Sequence, residues 1–99
     1  MSDQRRQFYL GIDIGQRVDH SALCLVETVD GKAIVRLLVK YDLGISWELL
    51  INSIKMLADD IGAQGDILGF TVDATGVGAV PAEMIQSKLP NIRVDNFIF

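Results

Sequence analysis

Phe8-Tyr9-Leu10-Gly11-Ile12-Asp13-Ile14 alternates with a period of two: Phe8, Leu10, Ile12 and Ile14 share one face, Asp13 lies on the other, and Gly15 closes the run. That period is the mark of a half-buried β-strand. A strand that delivers an aspartate at its carboxyl end, just before a glycine turn, is the first fixed point of the chain. The second is Ile67-Leu68-Gly69-Phe70-Thr71-Val72-Asp73, a strand that also finishes on an aspartate, with Gly76 and Gly78 just beyond it.

Between these two points the pattern reads as a meander and a helix. Ala22 to Thr28 is apolar on both faces, as expected of an interior strand. Asp30-Gly31 is the positive-φ pair favoured by tight hairpins. Ala33 to Tyr41 returns as a third strand, with Arg36 and Lys40 on one face and Val35, Leu37 and Val39 on the other. Ser46 is placed as an N-cap. Trp47, Leu50, Ile51, Ile54, Leu57, Ala58 and Ile61 then recur at helical spacing, up to a stop at Gly62 or Gly65. After the fourth strand, Pro81 suits the first turn of a second helix. Met84, Ile85 and Leu89 are expected to be buried, and Pro90 ends the helix. Ile92 to Phe99 reads as a fifth strand. The order β-β-β-α-β-α-β, with helical crossovers between the later strands, predicts parallel pairing there. The expected fold is α/β, a mixed five-stranded sheet in the order 3-2-1-4-5 with helices packed on it.

The composition agrees with one small domain over residues 1–99. Of the 99 residues 49% are hydrophobic and 22% charged, which excludes a disordered chain. Arg5, Arg6 and Asp13 interrupt the apolar start, so it is not a secretory signal, and no uncharged apolar run is long enough to span a membrane. A single cysteine, Cys24, excludes an internal disulfide or a cysteine-based zinc cluster, and a cytoplasmic setting is expected. The formal net charge is −4 and the sequence pI about 4.7. Residues 41–99 hold eight acidic groups against three basic ones. Broad phosphate-backbone binding usually needs a basic surface, so nucleic acid is expected to bind this chain only weakly.

With strands 1 and 4 as parallel neighbours, Asp13 and Asp73 emerge together at the carboxyl edge of the sheet, where open α/β sheets place their ligands. Two carboxylates held this close repel unless a cation lies between them or one keeps its proton. An all-oxygen site suits Mg2+ or Mn2+ rather than zinc. Each aspartate also has a structural role open to it, as a former of its own turn.

Tyr9-Leu10-Gly11-Ile12-Asp13-Ile14-Gly15, followed by Asp19-His20-Ser21-Ala22, resembles the first strand and turn of ribonuclease H-like nucleases. More narrowly, it resembles the nuclease domain of the large terminase subunit of tailed phages. Thr71-Val72-Asp73-Ala74-Thr75-Gly76-Val77-Gly78 is similar to the family's second motif, and the match runs over about residues 8–99. The resemblance implies a metal-dependent endonuclease that hydrolyses DNA phosphodiesters by a two-metal carboxylate site, with Asp13 and Asp73 among the ligands. It implies double-stranded DNA, a motor ATPase and other phage packaging proteins as partners. It also implies a third acidic ligand from a segment after the fifth strand, so the chain is expected to be truncated there and to cut DNA slowly or not at all by itself. No Gly-x-x-x-x-Gly-Lys-[Ser/Thr] of a motor occurs in the chain.

Around the pair, Asp19 is a candidate outer ligand, while His20 and Arg17 on the same loop are candidates to polarise a water or meet a phosphate. Gly76 and Gly78 can form a backbone-amide nest for an anion. All five also serve a turn without any function. Three other readings stay open: a Holliday-junction-resolvase-like nuclease; a non-catalytic remnant or assembly module; and an ATP-binding fragment of the sugar-kinase and actin type, which also opens with Gly-Ile-Asp-Ile-Gly. The apolar end of the fifth strand is an edge at which a second copy is expected to pair.

Overall fold

The structure is a computed structural model and describes residues 5–15, 20–75 and 80–97. Its elements are β1 (Arg6–Asp13), β2 (Ala22–Val29), β3 (Lys32–Lys40), α1 (Trp47–Gly62), β4 (Gly65–Asp73), α2 (Val80–Lys88) and β5 (Val94–Phe97). They form one five-stranded sheet in the order β3-β2-β1-β4-β5. The β1–β2 and β2–β3 pairs are antiparallel, and the β1–β4 and β4–β5 pairs are parallel. This is the architecture expected from the sequence. The hairpin turn has Asp30 at φ 50° and Gly31 at φ 77°, the two left-handed residues that let strands with a right-handed twist meet. Ser46 caps α1, its side chain accepting from the Leu49 amide at 3.2 Å.

One core lies between the helices and a single face of the sheet. Phe8, Leu10, Ile12 and Ile14 meet Phe70 and Val72 of the neighbouring strand, with Leu50, Ile51, Ile54, Ala58 and Ile61 from α1 above them. Three expectations about side chains change here. Met84 is 37% exposed, because the buried stripe of α2 runs through Ala82 and Ile85 to Leu89 and leaves Met84 off its axis. Trp47 is also 37% exposed: it is the first residue of α1 and lies at the rim of the layer. Cys24, in a strand that reads as apolar on both faces and hence interior, is only half-buried. It alternates with the buried Leu23 and Leu25 and so falls on the sheet face that carries no helix.

The end of the sheet opposite the two aspartates is locked by charge. Glu27 is 5% exposed, and it accepts from Arg6 at 2.8 and 2.9 Å and from Arg36 Nε at 2.9 Å. Arg6 also lies 5.0 Å over the Phe8 ring and donates to Gln64 at 3.0 Å. One carboxylate thus ties β1, β2, β3 and the turn before β4. The two guanidinium groups lower the Glu27 pKa from 4.5 to about 2, with the Arg6 hydrogen bond the largest cause. A carboxylate lowered on folding stabilises the fold fully above its unfolded range and loses that contribution as pH falls from about 4.5 towards 2. Glu27→Gln should therefore be less stable than the parent near neutral pH, and the gap should close in acid. Thermal midpoints measured across that interval check this; a gap that stays constant would contradict it.

Candidate active site

β1 and β4 run side by side in parallel, and Asp13 is the register partner of Asp73. Their backbones are therefore about 4.8 Å apart, the spacing of adjacent strands. The pairing continues past both strand ends, where the Ile14 amide donates to the Asp73 carbonyl at 2.9 Å. That bond holds the two aspartates at the same height. The mouth of the loop after β1 is closed by the Gly15 amide donating to Ser21 Oγ at 3.0 Å.

The two carboxylates differ in their surroundings. Asp73 is half-buried, and its Oδ1 accepts from the Thr75 amide at 3.0 Å and from Thr75 Oγ1 at 2.8 Å. This is an Asx turn, so the structural role open to Asp73 is one it does perform. The turn uses one oxygen only; among the described residues no hydrogen bond reaches Oδ2. Asp13 is exposed, and no described residue donates to it or forms an ion pair with it. Among the described residues, three of the four oxygens of these adjacent carboxylates therefore meet no protein donor, and no Lys or Arg offsets their charge.

They stand at the rim of a shallow cavity of about 370 Å³ on the helix-free face of the sheet. Gly11 forms its floor, with Ala22, Cys24, Leu38 and Thr71 around it. A Cβ at Gly11 would meet nothing within 4 Å, so the glycine leaves the approach to both carboxylates open. Among the described residues no group of three or more His, Cys, Asp or Glu gathers to hold an ion. What is present fits a hard divalent cation with two protein oxygen ligands and the rest of its shell in water, the pattern of magnesium sites.

His20 lies at the same edge. Its ring is within 2.8 Å of the Tyr41 carbonyl through Nδ1. Arg17, Asp19, Gly76 and Gly78 lie outside the described residues. Sequence reasoning missed the contribution of Thr75, although Asp-Ala-Thr has the two-residue spacing of an Asx turn. It also missed the tie between His20 and Tyr41, which are 21 residues apart and meet only through the β2–β3 register.

No family model matches the sequence, and no curated protein matches it. Solved structures do share its fold. The large terminase nuclease from thermophilic phage G20c superposes with a TM-score of 0.67 at 21% identity, over 93% of this chain and 44% of that one. The Ppx/GppA family member of Aquifex aeolicus superposes with a TM-score of 0.59 at 14% identity, over 94% of this chain and 35% of that one. An exopolyphosphatase from Cytophaga hutchinsonii gives 0.60 at 13% identity, over 93% and 34%. The chain thus spans less than half the length of each. The likeness to the terminase nuclease is one of fold. No helix among the described residues is long and apolar enough to cross a membrane.

Proposed function

We propose that this chain is the catalytic-face portion of a metal-dependent DNA endonuclease of the terminase nuclease type. The observation that carries the reading is the register pairing of Asp13 with Asp73 at the carboxyl edge of two parallel strands. Asp13 and Asp73 would hold Mg2+ or Mn2+, which when bound supplies charge neutralisation at the scissile phosphate and a more acidic water. The fold shared with a phage terminase nuclease supports the assignment.

The chain's own residues do three things in this account. The two carboxylates create the negative focus that recruits the cation. Gly11 keeps the floor low enough for a backbone to approach. Asp73, pinned by Thr75 through Oδ1, keeps Oδ2 in one place. Among the described residues no third acidic group joins the pair, so cutting by these 99 residues is expected to be slow. Double-stranded DNA would be a weak partner of a chain with net charge −4 and would need basic surface from elsewhere, such as a motor ATPase or another packaging protein. Among the described residues β5 is the outer strand beyond β4, and we propose it as the edge at which a second copy pairs. A cytoplasmic setting fits the lone cysteine.

A second reading is hydrolysis of a phosphoanhydride, favoured by the same fold in a Ppx/GppA protein and in an exopolyphosphatase. One experiment separates the two. Supercoiled plasmid and inorganic polyphosphate are each incubated with the chain and Mn2+. Slow nicking is expected, and it should fall by about 100-fold or more in Asp13→Asn and in Asp73→Asn, since even groups that only orient a metal ligand are worth 10–100-fold. Polyphosphate hydrolysis without nicking would favour the second reading. Nicking unchanged in both variants would remove the aspartates from the chemistry.

A further inference from the structure

The sheet has two outer strands, and β3 is the longer, with nine residues against four in β5. It pairs with β2 along its whole length, from Lys32 opposite Val29 to Lys40 opposite Ala22. Among the described residues nothing pairs with its other side. An outer row of main-chain donors and acceptors of that kind is a template for one more strand. No residue of β3 is buried, and Leu38, 73% exposed, is the most exposed large apolar side chain among the described residues. Val35, on the same helix-free face, is 57% exposed, and Leu37, on the helix side, is 37% exposed. Both faces of this edge therefore carry uncovered apolar side chains, which a strand laid alongside would cover from the flank.

Charge decides which strand fits. Lys32, Arg36 and Lys40 stand at the first, fifth and ninth positions of β3, with no acid between them. The rest of the chain carries thirteen acids and six bases, so this edge runs against the charge of the whole. Among the described residues neither lysine forms an ion pair, while Arg36 Nε donates to Glu27 at 2.9 Å. The register shift between Leu25 and Val26 leaves Arg36 with no partner in β2, a bulge at the middle of the edge. Cations and a bulge are devices that keep like strands apart. A second copy paired antiparallel about Arg36 would set Lys32 against Lys40, and one paired parallel in register would set each cation against itself. Like charges directly opposite destabilise a strand pair. A strand with acids at the matching positions meets no such penalty. A nucleic-acid backbone would also meet the cations, but it leaves Val35, Leu37 and Leu38 between them unexplained.

We propose that β3 is a docking edge for an extended acidic segment of a partner protein, which joins the sheet as a sixth strand. Main-chain hydrogen bonds to β3 supply affinity, and carboxylates opposite Lys32, Arg36 and Lys40 select the partner. Apolar positions between the acids cover Val35, Leu37 and Leu38. Leu38 also lines the cavity at Asp13 and Asp73, so the docked strand lies beside that cavity.

The test uses two synthetic peptides as long as β3, built of valine and threonine. One has glutamate and the other lysine at the first, fifth and ninth positions, a spacing that matches β3 in either direction. Added to the 15N-labelled chain, the glutamate peptide should shift the amides from Lys32 to Lys40 and slow their hydrogen exchange, and high salt should weaken it. The lysine peptide should not bind. Lys32→Glu combined with Lys40→Glu changes two exposed residues and leaves the Arg36–Glu27 pair intact. That variant should bind the glutamate peptide about tenfold more weakly and should now take the lysine peptide. Equal binding of both peptides by the parent, no shift with either, or shifts confined to β5 or to the aspartate edge overturns the proposal. So does a dimer of the parent alone with its β3 amides protected, which gives the edge to a second copy. A short DNA duplex that moves the same amides at lower concentration than the glutamate peptide gives the edge to nucleic acid and overturns the proposal as well.

Discussion

Phe70→Ala should cost about 3–5 kcal/mol, a large share of the roughly 5–15 kcal/mol that holds a typical domain together. Phe70 is fully buried in the central β4 strand, in register with Leu10 on one side and Val94 on the other. Truncation there leaves a cavity that a sheet paired on both sides cannot close. Urea titration should show a much lower midpoint, while Phe70→Leu, which keeps most of the volume, should lose far less. Equal losses in the two variants would mean that the ring edges, rather than the filled volume, matter at this position.

Gly65→Ala should be the second large effect, although it adds only one carbon. Gly65 opens β4 opposite Arg6, its register partner, and a Cβ there would run into the Arg6 carbonyl oxygen and lie 2.9 Å from the Arg6 carbonyl carbon. Backbone cannot rotate out of the way as a side chain can. Relief requires the first rung of the β1–β4 pair to open, disturbing the 2.9 Å bond from Arg5 to the Gly65 carbonyl and the Arg6–Glu27 pair beside it. A loss of about 3 kcal/mol is expected, the upper end for overpacking. Gly11→Ala serves as the control, since its Cβ meets open space. Equal stability of Gly65→Ala and Gly11→Ala in the same urea titration would show that the strands part without cost.

The order of the strands is legible in the sequence because two physical signals agree. The period-two run from Phe8 to Ile14 and the hairpin pair Asp30-Gly31 demand a meander, and a capped helix after it demands a crossover to the free side of β1. The meeting of Asp13 with Asp73 follows from that order. Side chains whose surroundings depend on tertiary contacts are less legible. Cys24 sits in an apolar strand, yet its face has no helix above it, and nothing local says which face the helices will choose. Met84 is apolar like Ile85, but only the axis of the packed α2 decides which of the two is buried. The Arg6–Glu27–Arg36 cluster and the His20–Tyr41 bond join residues 9 to 21 positions apart, so register rather than local sequence brings them together. Arg17, Asp19, Gly76 and Gly78 lie outside the described residues, and their roles rest on the sequence alone.

Thermal unfolding with and without Mn2+, for the parent and for Asp13→Asn and Asp73→Asn, tests the shared cation site most directly. With the ion at tens to hundreds of times its dissociation constant, mass action should stabilise the parent by about 1–3 kcal/mol. For a domain of this size that is a rise of several degrees in midpoint. Asparagine keeps the Oδ1 acceptor for Thr75 and removes one of two repelling charges, so the ion-free variants should be as stable as the parent or slightly more so. Their response to Mn2+ should disappear. An equal rise in all three proteins would contradict the account, because the aspartates would then hold their turns and nothing else.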